Sequence, residues 1–226
     1  MAKQKKKYFL EGAKDLKNLY AIIFIYLYFI VGIIWHLWSL TRELMLKITP
    51  YGLLFASILV LYPYIIGKKK KLLLWIFVTY IITFTLEIIG VTTGIIFGEY
   101  SYGFVLGPKI FDVPVIIGLN WVVIILGAII ISRTFTKNLL LSSLMTGILS
   151  VIFDLALEPV AARFGYWFWQ WNVIPLQNYI AWFLIAFLSA IFFNLLNLRL
   201  NIALPKHYFY AQVLFFIGLN YFSRGF

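Results

Sequence analysis

Asp154 and Glu158 stand four residues apart in one apolar stretch of the chain, and Glu87 stands alone in another. An acid at bilayer depth costs on the order of 3 kcal/mol, so a chain that keeps such residues is expected to use them. Four-residue spacing puts Asp154 and Glu158 on one helix face. Burial and a neighbouring carboxylate both disfavour ionisation, so one carboxyl of such a pair can keep its proton in an apolar pocket and donate it. Glu87, with no Lys or Arg in its own span, reads as a further acid or base of the same pocket. Plainer readings stand beside these. Asp154 can be a buried interhelical hydrogen-bonding group, Glu158 with Pro159 can end its helix at the surface, and Glu87 can cap a neighbouring helix or pair with Asn120.

Beyond Glu158 the run Gly165-Tyr166-Trp167-Phe168-Trp169-Gln170-Trp171 sets three Trp at alternate positions. An interfacial aromatic belt accounts for scattered Trp. Next to two intramembrane acids, the faces of Trp167 and Trp169 can instead line a cavity for a long apolar ligand, and an aromatic face stabilises a cation by about 0.5–2 kcal/mol. Tyr100 and Tyr102, beside Glu99, fit either an interfacial anchor or a pocket wall. Gly90 and Gly94 form a small-xxx-small pair, the pattern of close helix packing. His36, alone in its span, reads as a satisfied polar contact before a catalytic group.

These residues need a membrane scaffold. The chain has 226 residues, 63% of them hydrophobic, with a mean hydropathy of +0.95, well above the roughly half-apolar soluble average. Seven apolar runs can be drawn: Leu19–Leu40, Thr49–Gly67, Leu72–Phe97, Val113–Ser132, Asn138–Leu157, Gln177–Leu198 and Tyr208–Ser223. Each is near the ~20 residues a bilayer requires. The expected fold is an all-α polytopic membrane protein of about seven transmembrane helices over residues 19–226, preceded by a basic arm over residues 1–18. Most of the 19 basic residues fall in that arm and in alternate loops, at Lys68–Lys71, Arg133 with Lys137, and Arg199 with Lys206. By the positive-inside rule the N-terminus is then cytoplasmic, and the charge of +11 reads as a topology signal, not as a nucleic-acid surface. The arm lacks a small-residue cleavage site before the first span, so no cleaved signal peptide is expected. No Cys is present and the two His are far apart, which argues against thiolate chemistry and a His-based metal site. No Gly-rich phosphate loop or nucleophile elbow occurs. Counting along the spans at 1.5 Å per residue puts Glu87 about 22 Å and Asp154 about 24 Å above the inner face, and Asn120 about 10 Å below the outer one. Glu158, Asn178 and Trp182 share that layer.

The ordered motifs carry a resemblance. The pattern E-x-x-G-x-x-T-G-x-x-F-G-x-Y-x-Y-x-x-x-L-G-P runs from Glu87 to Pro108. Val113-Pro114, Trp121, Asp154, Glu158-Pro159, G-Y-W-x-W at 165–169 and I-P-x-x-N-x-x-A-W at 174–182 follow in order. Over residues 80–185 this resembles the integral-membrane carotenoid biosynthesis family, with its carotenoid 1,2-hydratases of bisanhydrobacterioruberin hydratase and γ-carotene hydratase type. The resemblance implies hydration of a terminal C=C in an acyclic carotenoid end group. A carboxylic acid protonates the alkene, a tertiary cation forms, and water adds with the help of a base. It further implies Asp154 or Glu87 as the acid and Glu158 as the group orienting water. Asn120 and Asn178 would hold that water. Trp121, Tyr166, Trp167, Trp169, Trp182, Tyr100 and Tyr102 would contact the substrate. No metal, nucleotide or flavin is called for. The implied setting is the cytoplasmic membrane, with a carotenoid and lipid as partners, other carotenoid-pathway enzymes as possible neighbours and no nucleic acid. A lycopene-cyclase-like enzyme, in which an internal double bond captures the cation, and a non-enzymatic carotenoid carrier are the alternatives.

Overall fold

A computed structural model describes residues 2–67, 69–198, 200 and 203–223, residues 2–17 only as helix backbone. Lys68, Arg199 and Arg224, which bear on the charge count above, lie outside the described residues. Seven helices make up the bundle: α1 (Ala2–Leu37), α2 (Ser39–Ile66), α3 (Lys70–Thr93), α4 (Ile116–Phe135), α5 (Leu139–Arg163), α6 (Leu176–Leu195) and α7 (Leu204–Phe222). The first six are long and apolar enough to cross a membrane, so the protein is a multi-pass membrane protein. The seventh packs against α1, α4 and α5 and carries Lys206, His207, Gln212 and Asn220.

α4 is the axis. Its sequence is apolar on every side, and a helix of that kind is stable only when enclosed. It is surrounded by α2, α3, α5, α6 and α7, and residues 121–129 are buried without a break. The outer helices expose large apolar side chains such as Ile23, Phe55, Phe77, Ile148 and Leu184, as lipid contact requires. Several ends differ from the sequence reading. α1 continues back through the basic arm to Ala2, and α2 begins ten residues before Thr49. Its Arg42 donates from Nε to the His36 carbonyl (2.9 Å) and from Nη2 to that of Leu37 (3.1 Å). These bonds satisfy carbonyls that the end of α1 leaves free. α5 runs through Pro159 to Arg163, so Glu158 is not at a helix end.

Two short sheets join the helices on the side of the α3–α4 and α5–α6 loops. β1 (Tyr100–Tyr102) pairs antiparallel with β4 (Trp167–Trp169), in the register Tyr100↔Trp169, Ser101↔Phe168, Tyr102↔Trp167. β2 (Lys109–Ile110) pairs with β3 (Val113–Pro114) as a hairpin. The sequence reading anticipated no strand here. The α3 end also differs from the packing face expected of Gly90 and Gly94. Gly94 closes the helix in the left-handed region, φ +68°, which favours glycine. A Cβ on Gly90 would lie 2.6 Å from the Phe97 ring of the following loop, so this glycine admits a loop residue, not a helix. Gly103 lies so close to the Gly165 carbonyl that a Cβ there would collide with it, and its N–H donates to the Tyr166 carbonyl at 2.9 Å. These contacts seat the β1–β4 ribbon.

Candidate active site

Residue alternation along the ribbon builds the site. Successive strand side chains point to opposite faces. Ser101 and Phe168 are exposed, whereas Tyr102, Trp167 and Trp169 are buried and Tyr100 is half-buried. The four inward aromatics carry an O–H or N–H at the tip, and those tips meet two carboxylates. Tyr100 and Tyr102 donate to Glu87 Oε2 at 2.5 and 2.7 Å. Trp121 Nε1, from α4, donates to Glu87 Oε1 at 2.7 Å. Trp169 and Trp167 donate from Nε1 to Glu158 Oε2 at 2.7 and 3.2 Å. The rings tie the two acids together: Tyr100 lies 5.0 Å from Trp169 and Tyr102 lies 5.9 Å from Trp167, centroid to centroid.

Glu87 therefore accepts three hydrogen bonds over both oxygens. Burial pushes the Tyr100 and Tyr102 phenols well above their ordinary range, and the Glu87 charge adds to this. Both stay O–H donors. Both indoles bond to Glu158 on Oε2; its Oε1 accepts only from Asn178 Nδ2, at 3.4 Å. The same Nδ2 donates to Asp154 Oδ2 at 2.6 Å, and Asp154 Oδ1 has no hydrogen-bond partner.

Glu87 and Glu158 open onto one cavity. It encloses about 980 Å³ between atoms, its mouth included, and every helix of the bundle contributes to its wall. Asn120, Trp121, Asn178, Trp182, Tyr100, Tyr102, Tyr166, Trp167 and Trp169 line it with the two acids. Trp121 and Trp182 stack at 3.6 Å and 20° to form a flat apolar panel. Asp154 is the exception among the residues singled out from the sequence. It is fully buried yet off the cavity wall, behind Asn178. The reason is geometric: one helical turn separates it from Glu158, and the ribbon crosses at the level of Glu158. Glu87 does not pair with Asn120, whose Oδ1 receives Gln212 Nε2 at 3.4 Å. The indoles of Trp167 and Trp169 meet an acid through their N–H groups as well as walling the cavity.

The opposite wall was not anticipated. α1, α2 and α7 bring Tyr28, His36, Thr49, Gln212 and Phe215 to the cavity. Gln212, an amide in the middle of the apolar α7 stretch, was the available signal. Among the described residues no group of three or more His, Cys, Asp or Glu side chains is arranged to hold a metal ion.

The sequence profile of the family described as "Carotenoid biosynthesis protein" matches residues 48–224. The chain belongs to the carotenoid biosynthesis protein family. It is also similar to bisanhydrobacterioruberin hydratase of Haloarcula japonica (strain ATCC 49778 / DSM 6131 / JCM 7785 / NBRC 101032 / NCIMB 13157 / TR-1), 29% identical over 166 residues, 66% of this chain. The match spans 55% of that relative's length, about half of it. No solved structure matches the chain. The family match takes in α3–α7 and both acids of the cavity and leaves out α1.

Proposed function

We propose that this protein hydrates a terminal double bond of an acyclic carotenoid within the membrane, by acid protonation, a tertiary cation and water addition. The observation that carries this is the pair of buried acids on one aromatic cavity wall, Glu87 met by three donors over both oxygens and Glu158 met by both indoles on Oε2. In this reading the three donors to Glu87 favour its ionised form, and its charge favours a nearby cation. Glu158 lines the cavity, its Oε1 holds only the long contact from Asn178, and it is the proton donor. The sequence reading favoured Asp154 or Glu87 for that role. Asp154 now positions Glu158 through Asn178 and does not touch the substrate.

In the reaction the Glu158 O–H bond breaks and its proton joins the terminal alkene through the π electron pair. The adjacent carbon becomes a tertiary cation against the Trp121–Trp182 panel. A water oxygen forms the C–O bond and gives up a proton, and Glu158 is reprotonated. One water is added and no charge remains. Preorganised charges of this kind act where charge develops in the transition state. The hydratase name of the Haloarcula relative supports this reading, as does the family. The site lies in a multi-pass protein, and the cytoplasmic membrane is the proposed location.

The test is expression in a lycopene-making bacterial host. Wild type should yield pigments one water heavier per reacted end, and Glu158→Gln should leave the pigment unchanged at equal protein level. A product of unchanged mass with a ring would assign cyclisation instead. Unchanged pigment from well-expressed wild type would overturn the reading.

A further inference from the structure

His36 is buried at 1% exposure and lines the cavity from α1. Its Nδ1 lies 2.7 Å from the Gly32 carbonyl oxygen. A carbonyl only accepts, so Nδ1 carries the proton and, in the neutral ring, Nε2 is left as a lone pair. The ring is held edge-on by Phe164 (5.2 Å, 82°) and Phe215 (5.5 Å, 77°), and Arg42 clamps the backbone carbonyl of the same residue. Its orientation is thus fixed from three sides. Nε2 faces the Tyr166 hydroxyl, itself on the cavity wall, at 3.4 Å. That is the long limit of a hydrogen bond, so the best acceptor position on this wall is only weakly occupied. Burial pushes the Tyr166 phenol above its ordinary range, so it remains an O–H donor. Nε2 and the Tyr166 hydroxyl, which face each other at this long distance on the cavity wall, make a two-point seat that one water molecule bridges when the contact opens.

We propose that His36 is a catalytic base: with Tyr166 it binds the attacking water and takes its proton as the C–O bond forms. This rests on the hydratase reading above and assigns its second half. Glu158 delivers a proton to carbon, the water oxygen donates its electron pair to the cation, the water O–H bond breaks, and the proton passes to His36 Nε2. His36 releases that proton to solvent and Glu158 takes one up, so the sum is the alkene plus one water. Splitting the two proton transfers between two residues lets water be deprotonated by a group other than the acid.

The experiment uses full-length protein in proteoliposomes loaded with lycopene and suspended in D2O. Wild type should form hydrate. His36→Gln should lower hydrate formation about 100-fold, while the recovered lycopene still gains deuterium in its end group, because protonation and its reversal survive when capture is lost. Tyr166→Phe should lower hydrate about fivefold with exchange retained, and it decides the matter if His36→Gln does not fold. Hydrate near the wild-type level in the folded His36 variant would overturn the proposal. So would loss of deuterium exchange together with hydrate, which would place His36 on the acid side or in the fold. A wild type that exchanges deuterium but forms no hydrate would overturn this proposal and the hydratase reading while leaving Glu158 as an acid. A wild type that does neither would remove all three.

Discussion

Two polar clusters are buried in this bundle, and they are built on different principles. One is the acid wall. The other joins α4, α5 and α6 through Ser132, Ser142, Ser143, Thr146 and Asn194. In the second cluster the hydroxyls return to carbonyls of their own helices: Ser132 to Ala128 at 2.8 Å, Ser143 to Leu139 at 2.8 Å and Thr146 to Ser142 at 2.8 Å. Asn194 Nδ2 then bridges Ser142 and Ser143 at 3.1 and 3.0 Å. Every group is neutral, and none of these residues faces the cavity. The acid wall is ionisable, depends on donors from other segments, and opens onto space for a ligand. Burial of polar groups alone does not separate a binding site from interhelical glue. Charge, borrowed donors and a cavity together do.

The sharpest way to break the comparison is Glu87→Gln, which exchanges the fixed charge for an amide facing three donors. Hydrate formation should fall about 100- to 1,000-fold, and the thermal midpoint should drop as well, since donors are left without a full acceptor. Retained activity would reduce Glu87 to the same standing as Asn194. Trp169→Phe is a finer probe. It keeps the ring and removes one donor from Glu158, and should cost about tenfold in hydrate formation with little change in stability. No loss would mean that the indole serves only as wall. The smallest effect is expected from Asn194→Leu. It should lower stability by about 1 kcal/mol and leave hydrate per folded protein unchanged; a large loss of activity would show that the two clusters communicate.

Much of the scaffold was legible because each helix is a local object. Six apolar stretches long enough to span appear as α1–α6, and the depth count brought Glu87 and Glu158 to one layer. The ribbon was not legible, because pairing Tyr100–Tyr102 with Trp167–Trp169 joins segments more than sixty residues apart. Its trace in the sequence is the period-two pattern Y-S-Y and W-F-W, which an interfacial belt or a pocket wall explains as well as two strands do. The displacement of Asp154 from the wall follows from the same omission: without the ribbon, nothing distinguishes one helical turn of α5 from the next. For His36 the sequence offers a polar contact, and which ring nitrogen makes it is set by neighbours distant in the chain, Tyr166 among them.

The two-strand ribbon also restricts how this protein can change over generations. A single inserted or deleted residue inside Tyr100–Tyr102 or Trp167–Trp169 would turn the paired tips outward together, stripping donors from Glu87 or Glu158 in one event. Length variation is therefore barred within those six positions, whereas the Gln170–Asn172 turn that follows can lengthen or shorten without disturbing either acid. Homologous chains should keep an unbroken spacing through both strands and drift in size immediately after the second.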